Sequence, residues 1–348
     1  MASDPMPLAE RLKHLQQLAQ DSLHLWPVPG NATVRLLNVS ENATYLVEAP
    51  DYRSILRVHR VNYHTRRGIE QELQWSQALS ADNMVLTPSP IVGLDGQYVQ
   101  EARSDHLPDP RFMVMFEFAE GRQPDENEDL RQPFERLGAI AAHTHLHSQR
   151  WQKPEPLERL KWDEEAVFGS DPTWGNWRDA PNVTPEIRDV LEDVEDLICE
   201  RLEAFGKSPE RYGLIHADMR LANLLIDGET TCLIDFDDCG MGWYLYDFAT
   251  GVSFMEDSPQ VPALREAWVR GYRSVRSLSE DEEKEIDTFI MLRRMALLAW
   301  IGSHIEAPEP QAMAPHFANG TALLGRQYLD KFGMKAMIGH QSCNRKIV

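Results

Sequence analysis

Short apolar runs rich in β-branched residues occupy the first third of the chain, after a leading pattern of helical period. Residues 7–24 form an amphipathic helical pattern, and residues 33–39, 43–49 and 54–61 read TVRLLNV, ATYLVEA and SILRVHRV. The turn-prone stretches SEN and PDYR separate these runs, which predicts an antiparallel meander. A helical pattern over residues 64–81 follows, and residues 90–102 and 111–119 supply two more strands. The pattern predicts five strands with one helix between the third and the fourth.

The pattern becomes helical after Gly121. Residues 131–149 and 186–205 have helical periodicity, and a Trp- and Pro-rich stretch lies between them at 151–181. The most apolar stretch, 289–304, is interrupted by Arg293 and Arg294 and is typical of a core helix rather than a membrane span. We therefore predict an α+β protein with a small antiparallel N-terminal domain, residues 1–117, and a larger, mainly helical domain, residues 118–348.

Composition narrows the functional classes. The 348 residues carry a formal net charge of -20, which argues against nucleic-acid binding because that function requires a basic surface. Such a charge suits solubility, and it is also compatible with a cationic substrate. The four cysteines form no C-x-x-C pair, and the N-terminus has no signal-peptide pattern, so we expect a cytoplasmic protein with reduced thiols and no membrane partner.

Residues 214–239, LIHADMRLANLLIDGETTCLIDFDDC, place charged groups among apolar runs. Carboxylates beside buried strands need a partner that offsets their desolvation. LLI and CLI, joined by DGETT, predict a hairpin that brings Asn223 and Asp235 to neighbouring strand ends. An amide oxygen and carboxylates converging there predict a site for a hard cation such as Mg²⁺.

The same stretch resembles a known family. His216, Asp218 and Asn223 form H-x-D-x-x-x-x-N, and I-D-F follows at Asp235. This resembles the catalytic loop and metal-binding Asp of the protein-kinase-like phosphotransferases. It is most similar to the aminoglycoside phosphotransferase and choline kinase branch, which has H-G-D-x-x-x-x-N, I-D-[FW]-[DE] and a later Y-D-L-A, here YDFA at 246–249. The resemblance covers about residues 33–300 and implies a bilobal kinase fold that uses ATP and Mg²⁺.

The resemblance implies a role for each matching residue. Asp218 would orient or accept the proton of the substrate hydroxyl, and Asn223 and Asp235 would hold Mg²⁺ on the nucleotide phosphates. Arg220, two residues after Asp218, would neutralise charge on the transferring group. His216 is interpreted as a brace of the loop, and Asp237 as either a further ligand or a brace.

The N-terminal part departs from the better-known kinases because it has no G-x-G-x-x-G. Ser40, Asn42 and Thr44, in the turn between the first two strands, are the predicted phosphate donors. Arg57 stands where a strand lysine is expected, with Glu72 as its predicted partner and Glu70 as the less favoured one. The competing interpretation of Arg57 is a solvated charge on a strand surface.

The segment 113–121, MVMFEFAEG, corresponds in this resemblance to the hinge that meets adenine through main-chain groups. The predicted nucleotide-binding residues there are Met115, Phe116, Glu117 and Phe118. Acidic residues continue to Asp129, and they are interpreted either as a solvated turn or as a wall that recognises a cation. The three tryptophans of residues 162–177 admit the same two interpretations, packing or recognition of an amine.

Three hypotheses follow for function. The favoured one is a MgATP-dependent kinase of a hydroxyl on a small metabolite or amine-bearing compound. The second is a Ser/Thr protein kinase of the bacterial stress-response type, and the third is a nucleotide-binding pseudokinase. Between Asp235 and Asp247 there is no long phosphorylatable segment and no A-P-E, which favours a small substrate.

Overall fold

The computed structural model describes residues 6–39 and 42–343, with the side chains of 334–343 excepted. Ser40, one of the predicted phosphate donors, lies outside the described residues. Within the described part of the chain, none of the helices combines the length and apolar character that a membrane crossing requires.

The chain alternates short strands with longer helices. In chain order the strands are β1 Thr33–Val39, β2 Ala43–Ala49, β3 Tyr52–Val58, β4 Pro90–Ile91, β5 Gln100–Ala102, β6 Arg111–Glu117, β7 Leu160–Trp162, β8 Tyr212–Ile215, β9 Leu224–Asp227, β10 Thr230–Leu233 and β11 Gly240–Trp243. The α-helices are α1 Leu8–Asp21, α2 Arg66–Ala81, α3 Arg131–Arg150, α4 Glu164–Phe168, α5 Pro185–Phe205, α6 Tyr246–Gly251, α7 Val261–Arg273, α8 Glu280–Lys284, α9 Ile286–Ser303 and α10 Pro308–Cys343.

These elements form two compact units. Unit 1 comprises residues 1–124, 150–159 and 222–239, and unit 2 comprises residues 125–149, 160–221 and 240–348. Unit 1 is thus discontinuous along the chain. It contains Asn223 and Asp235, which the sequence analysis assigned to the second domain.

An antiparallel sheet of order β1-β2-β3-β6-β4 forms most of unit 1, and β5 also pairs with β6. The prediction of a single strand over 90–102 is wrong, and six strands replace the expected five. The cause is a turn at Asp95 and Gly96. Gly96 has φ +83°, a backbone conformation that glycine adopts without a steric cost, and Asp95 Oδ1 accepts the Gln97 N–H at 2.9 Å.

The core of unit 1 packs α1 and the following Trp26 against one face of the sheet, with Leu18, Tyr45 and Leu56 buried among them. Helix α2 begins where Thr65 caps it by accepting the Gly68 N–H at 2.9 Å. Its buried face carries Ile69 and Leu73, and Glu72 lies on that same face. A buried carboxylate on an apolar helix face needs a cationic partner, and for Glu72 that partner is Arg57.

The predicted hairpin of unit 1 is confirmed. Strands β9 and β10 pair antiparallel with Thr230 opposite Asp227 and Leu233 opposite Leu224. Gly228 occupies the turn with φ +57°. Beyond the last pair, the Ile234 N–H donates to the Asn223 carbonyl at 3.0 Å, so Asn223 and Asp235 lie at the same end of the hairpin.

Unit 2 is mainly helical, and its most apolar element is α9, whose residues are buried around almost the whole helix. Helices α3 and α7 cross closely: a Cβ at Gly138 would lie 2.1 Å from Trp268 O, and one at Gly271 would lie 1.8 Å from Glu135 O. A three-stranded sheet, β7-β11-β8, completes the unit. Strand β8 leads directly into the His216–Asp218 loop.

Candidate active site

The backbone of the loop that follows β8 is held by helix α6. Asp247 accepts the N–H groups of Ala217 at 2.7 Å and His216 at 3.3 Å. Thr250, one turn further along α6, accepts the Met219 N–H at 2.8 Å. These three hydrogen bonds from α6 leave the backbone on either side of Asp218 little freedom.

Ala217 occupies a backbone conformation that usually requires glycine. Its φ is +66°, and the left-handed region costs a residue with a Cβ about 1–2 kcal/mol. The similar branch carries Gly at this position, between the His and the Asp of its motif. Strain of this kind persists where the surroundings over-determine the backbone, and Asp247 is the group that does so here.

His216 braces the loop. It is fully buried, and its Nδ1 accepts the Asp218 N–H at 3.2 Å. His145, from α3, supports the same loop indirectly, since its Nε2 bonds Asp247 Oδ2 at 2.9 Å and its Nδ1 bonds the Tyr272 hydroxyl at 2.9 Å. Burial lowers the pKa of His145, although the Asp247 hydrogen bond opposes this effect.

The Asp218 carboxylate lies between two arginines. Arg293 Nη2 donates to its Oδ1 at 2.8 Å, and Arg220 Nε lies 3.4 Å from its Oδ2. Arg220 also bonds Glu309 Oε1 at 3.2 Å. The Asp218 side chain is 14% exposed, so the carboxylate is partly accessible while both oxygens have a cation beside them.

Sequence reasoning treated Arg293 only as an interruption of an apolar helix. The signal that marks it is the burial that this helix implies, because an arginine inside an apolar helix must find an anion. No local spacing identifies Asp218 as that anion, since the two residues are far apart in the chain.

Aromatic side chains surround these arginines. The guanidinium carbon of Arg293 lies 5.0 Å from the ring centre of Trp174, and that of Arg220 lies 5.9 Å from the ring centre of Phe254. Trp300 packs against both rings, at 6.5 Å from Trp174 and 5.8 Å from Phe254. Trp174, one of the tryptophans of residues 162–177, therefore belongs to the surroundings of Arg293.

In unit 1, the end of the β9–β10 hairpin carries hard oxygen donors. Asn223 is buried, whereas the Asp235 side chain is 45% exposed. Asp235 has φ +62°, a second strained backbone at a predicted functional residue. Among the residues that the structure describes, no group of three or more His, Cys, Asp or Glu is placed to hold a metal ion. One carboxylate and one amide oxygen fit Mg²⁺, which commonly takes few protein ligands and completes its shell with phosphate and water.

Arg57 links this hairpin end to α2. Its Nη2 donates to Glu72 Oε1 at 2.5 Å, and its Nη1 donates to Asp235 Oδ1 at 3.1 Å. The side chain is only 5% exposed, which excludes a solvated strand charge. Burial opposes the charge of Arg57, but Glu72, Asp237 and Asp235 outweigh it and raise the pKa of the guanidinium.

Asp237, in the loop that follows β10, contacts Asn42, which precedes β2. Its Oδ2 accepts Asn42 Nδ2 at 2.7 Å, and Asn42 Oδ1 accepts the Arg60 N–H at 3.1 Å. Burial raises the pKa of Asp237, but His64 and Arg57 outweigh it and bring the pKa well below the ordinary value. The amide of Asn42, a predicted phosphate donor, thus contacts Asp237 and Arg60.

The predicted adenine-binding segment comprises the end of β6 and the residues that follow it. Met115 is fully buried, and Phe116 lies under Arg57 with 5.1 Å between the guanidinium carbon and the ring centre. The Glu117 N–H donates to Ser89 O at 2.9 Å, and Phe118 packs under Arg53.

Comparison with known proteins identifies the family. Residues 33–284 match the family described as the phosphotransferase enzyme family. This chain belongs to that family. The predicted class of enzyme, a phosphotransferase, and the α+β protein-kinase-like fold are therefore confirmed.

Three relatives of this phosphotransferase have named activities. A solved structure of a microcompartment-associated aminopropanol kinase is 45% identical, covers 90% of this chain and 98% of that chain, and superposes with a TM-score of 0.84. The amicoumacin kinase of Bacillus subtilis is 24% identical over 274 residues, 76% of this chain and 78% of that protein. A solved amicoumacin kinase in complex with AMP-PNP and Ca²⁺ is 21% identical, covers 88% of this chain and 92% of that chain, and has a TM-score of 0.71.

Proposed function

We propose that this phosphotransferase is a MgATP-dependent kinase that phosphorylates the hydroxyl group of a small amino alcohol. The observation that carries the proposal is the position of Asp218. Hydrogen bonds from α6 fix the backbone on both sides of it, and its carboxylate is partly accessible. A carboxylate in that state can accept a hydrogen bond from an acceptor hydroxyl and take its proton as the phosphoryl group leaves the nucleotide.

Nucleotide and metal binding are assigned to groups of unit 1. Asn223 and Asp235 would hold Mg²⁺, which neutralises phosphate oxygens when bound. Arg57, which donates to Asp235 through Nη1, would order this carboxylate and place a permanent positive charge near the phosphates. The main chain of Met115, Phe116, Glu117 and Phe118 would meet the base, and the Asn42 turn would face the phosphates.

Asp218 and Arg220 belong to unit 2 and would act on the acceptor and on the group in transfer. The chain passes from unit 2 to unit 1 between Leu221 and Ala222, within the motif itself. The phosphoryl group moves from nucleotide oxygen to acceptor oxygen, and the acceptor proton goes to Asp218. Arg220, whose Nε lies 3.4 Å from Asp218 Oδ2, would offset negative charge on the group in transfer.

The proposed acceptor class is supported by similarity and by local chemistry. The aminopropanol kinase shares 45% identity over nearly its whole length, far above the level at which only the fold is shared. Glu309, whose side chain is 45% exposed beside Arg220, provides a carboxylate that can attract a protonated amine.

A panel of acceptors tests the proposal. Purified protein with MgATP is given 1-amino-2-propanol, ethanolamine, choline, homoserine, and 1,2-propanediol as the matched compound without an amine, and ADP release is followed. Turnover of an amino alcohol well above that of the diol supports the proposal. Labelling of casein or of the protein itself by γ-labelled ATP would favour a protein kinase, and ATP binding without any transfer would favour a pseudokinase.

A further inference from the structure

Two adjacent arginines lie inside the most apolar helix of the protein. Arg293 and Arg294 in α9 are 2% and 4% exposed, and their neighbours in the helix are buried apolar residues. Burial of a guanidinium is unfavourable unless an anion and further acceptors surround it. The two arginines satisfy this requirement in different ways, and the difference assigns them different roles.

All three nitrogens of the Arg293 guanidinium donate hydrogen bonds, two of them to the Asp218 loop and one to Ser253. Nη2 donates to Asp218 Oδ1 at 2.8 Å, Nη1 to the Ala217 carbonyl at 3.4 Å, and Nε to Ser253 Oγ at 3.1 Å. The ring of Trp174 lies against the same guanidinium. Since Arg is planar with donors in a fixed fork, these contacts set its orientation as well as its position.

Arg294 makes its contacts elsewhere. Nη1 donates to Glu256 Oε2 at 2.6 Å, Nε to Thr321 Oγ1 at 2.9 Å and Nη2 to the Phe317 carbonyl at 3.3 Å. These groups join α9 to α10 and to the segment before α7. Arg294 is therefore a matched control: it is equally buried, next in sequence and ion-paired, but its donors go to Glu256, Thr321 and Phe317.

The hydrogen bonds described from α6 and from His216 hold the backbone of the loop. Asp247 and Thr250 bond the main-chain N–H groups of residues 216, 217 and 219, and His216 bonds that of Asp218 itself. None of these bonds constrains the rotation of the carboxylate about its side-chain torsions. The 2.8 Å bond from Arg293 does so, by holding Oδ1.

We propose that Arg293 is a positioning residue that sets the orientation of the Asp218 carboxylate for the acceptor hydroxyl. This inference rests on the proposed function, because it assigns to Asp218 the role of hydroxyl acceptor. With Oδ1 held by α9, the carboxylate presents one defined orientation, and a reacting group misplaced by about 1 Å loses on the order of 10²-fold in rate.

The test measures kcat and KM for Arg293→Met, Arg293→Lys and the control Arg294→Met, each in the wild-type and the Asp218→Asn background. We expect Arg293→Met to lower kcat by about 10–100-fold with the KM for ATP nearly unchanged. Arg293→Lys should lie between it and wild type, because one ammonium keeps the charge but cannot reach all three partners. Arg294→Met should lower the melting temperature while kcat per folded enzyme stays near wild type.

In the Asp218→Asn background, Arg293→Met should lower kcat by less than about 2-fold further, since residues that act as one unit are not additive. Equal effects in both backgrounds, or equal kcat for the Arg293 and Arg294 variants, would overturn the inference.

Thermal unfolding of the same variants needs no substrate and separates the two proposals. If wild type phosphorylates no acceptor, the proposed function fails, and the pair is tested by melting temperature alone. We then expect the double variant, Arg293→Met with Asp218→Asn, to have a melting temperature near that of the less stable of the two single variants. Additive melting-temperature losses would overturn the assignment of Arg293 to Asp218.

Discussion

Arg57 stands where better-known kinases place a lysine, and its surroundings are built for a guanidinium. Two nitrogens of the fork reach two different carboxylates, Glu72 on α2 and Asp235 at the hairpin end. A lysine has one terminal nitrogen and cannot hold both in this geometry. Arg57 is therefore expected to order Asp235 as well as to bind phosphate.

We expect Arg57→Lys to raise the KM for ATP without improving kcat, and Arg57→Ala to raise it further, because Asp235 loses the guanidinium that orders it and the phosphates lose a nearby cation. Glu72→Ala should have part of the same effect by releasing the guanidinium. A double-mutant cycle in ATP binding should give a coupling of about 0.5–3 kcal/mol for residues in one network. Arg35→Ala, on an exposed strand position, is the control and should leave the KM unchanged.

If the Arg57 and Glu72 effects were additive and both variants bound ATP as wild type does, Arg57 would have only a structural role. Other groups would then have to hold the phosphates, and the pseudokinase hypothesis would gain support.

At the scale of elements, the β9–β10 hairpin brings the two predicted metal ligands together. Asp235→Ala should abolish the Mg²⁺-dependent increase in ATP affinity, because a hard cation loses its anionic ligand. Calorimetry of ATP binding with and without Mg²⁺ measures this. Asp227→Ala, at the opposite end of the same hairpin, is the matched control and should keep the metal dependence. Retention of the metal effect in Asp235→Ala would exclude this carboxylate as a ligand.

Helices α3 and α6 give unit 2 a pH-dependent stability through His145. Burial lowers the pKa of this histidine in the folded protein, so the folded state binds fewer protons than the unfolded chain below about pH 6.5. The stabilising contribution is complete above that pH and is lost as the pH falls from there toward the folded-state pKa. We expect the melting temperature to decrease from neutral to mildly acid pH, and His145→Gln, which does not titrate, to reduce that decrease. An identical pH profile in both proteins would contradict the prediction.

Local pattern predicted most elements because each depends on neighbours in sequence. The helices at 131–149 and 186–205 appear as α3 and α5, and the second is capped by Thr184 through the Ile187 N–H. The hairpin was predicted from its turn chemistry. Residues 90–102 were mistaken for one strand because their apolar positions continue across a turn that Asp95 and Gly96 form.

At the scale of the whole molecule, contacts between residues distant in the chain were harder to predict from the sequence. The motif and its similarity to a family indicated Asp218, Asn223 and Asp235 as candidate site residues, and predicted the Arg57–Glu72 pair that the structure contains. Arg293 was missed because its anion lies far away in the chain. The bridge from Asn42 to Asp237 was missed for the same reason, since it joins residues 195 positions apart. Unit 1 consists of three segments that are distant in the chain, so a single predicted boundary at residue 117 could not describe it.

The central claim is that this phosphotransferase moves the γ-phosphoryl group of ATP to the hydroxyl of a small amino alcohol. Phosphorus NMR of a reaction with MgATP and 1-amino-2-propanol tests it most directly, because a phosphate ester has a signal distinct from free phosphate. We expect one phosphoester for each ADP formed, and a rate about 10²–10⁴-fold lower for Asp218→Asn at unchanged ATP affinity. ADP accompanied only by free phosphate, or an Asp218→Asn rate close to that of wild type, would contradict the account.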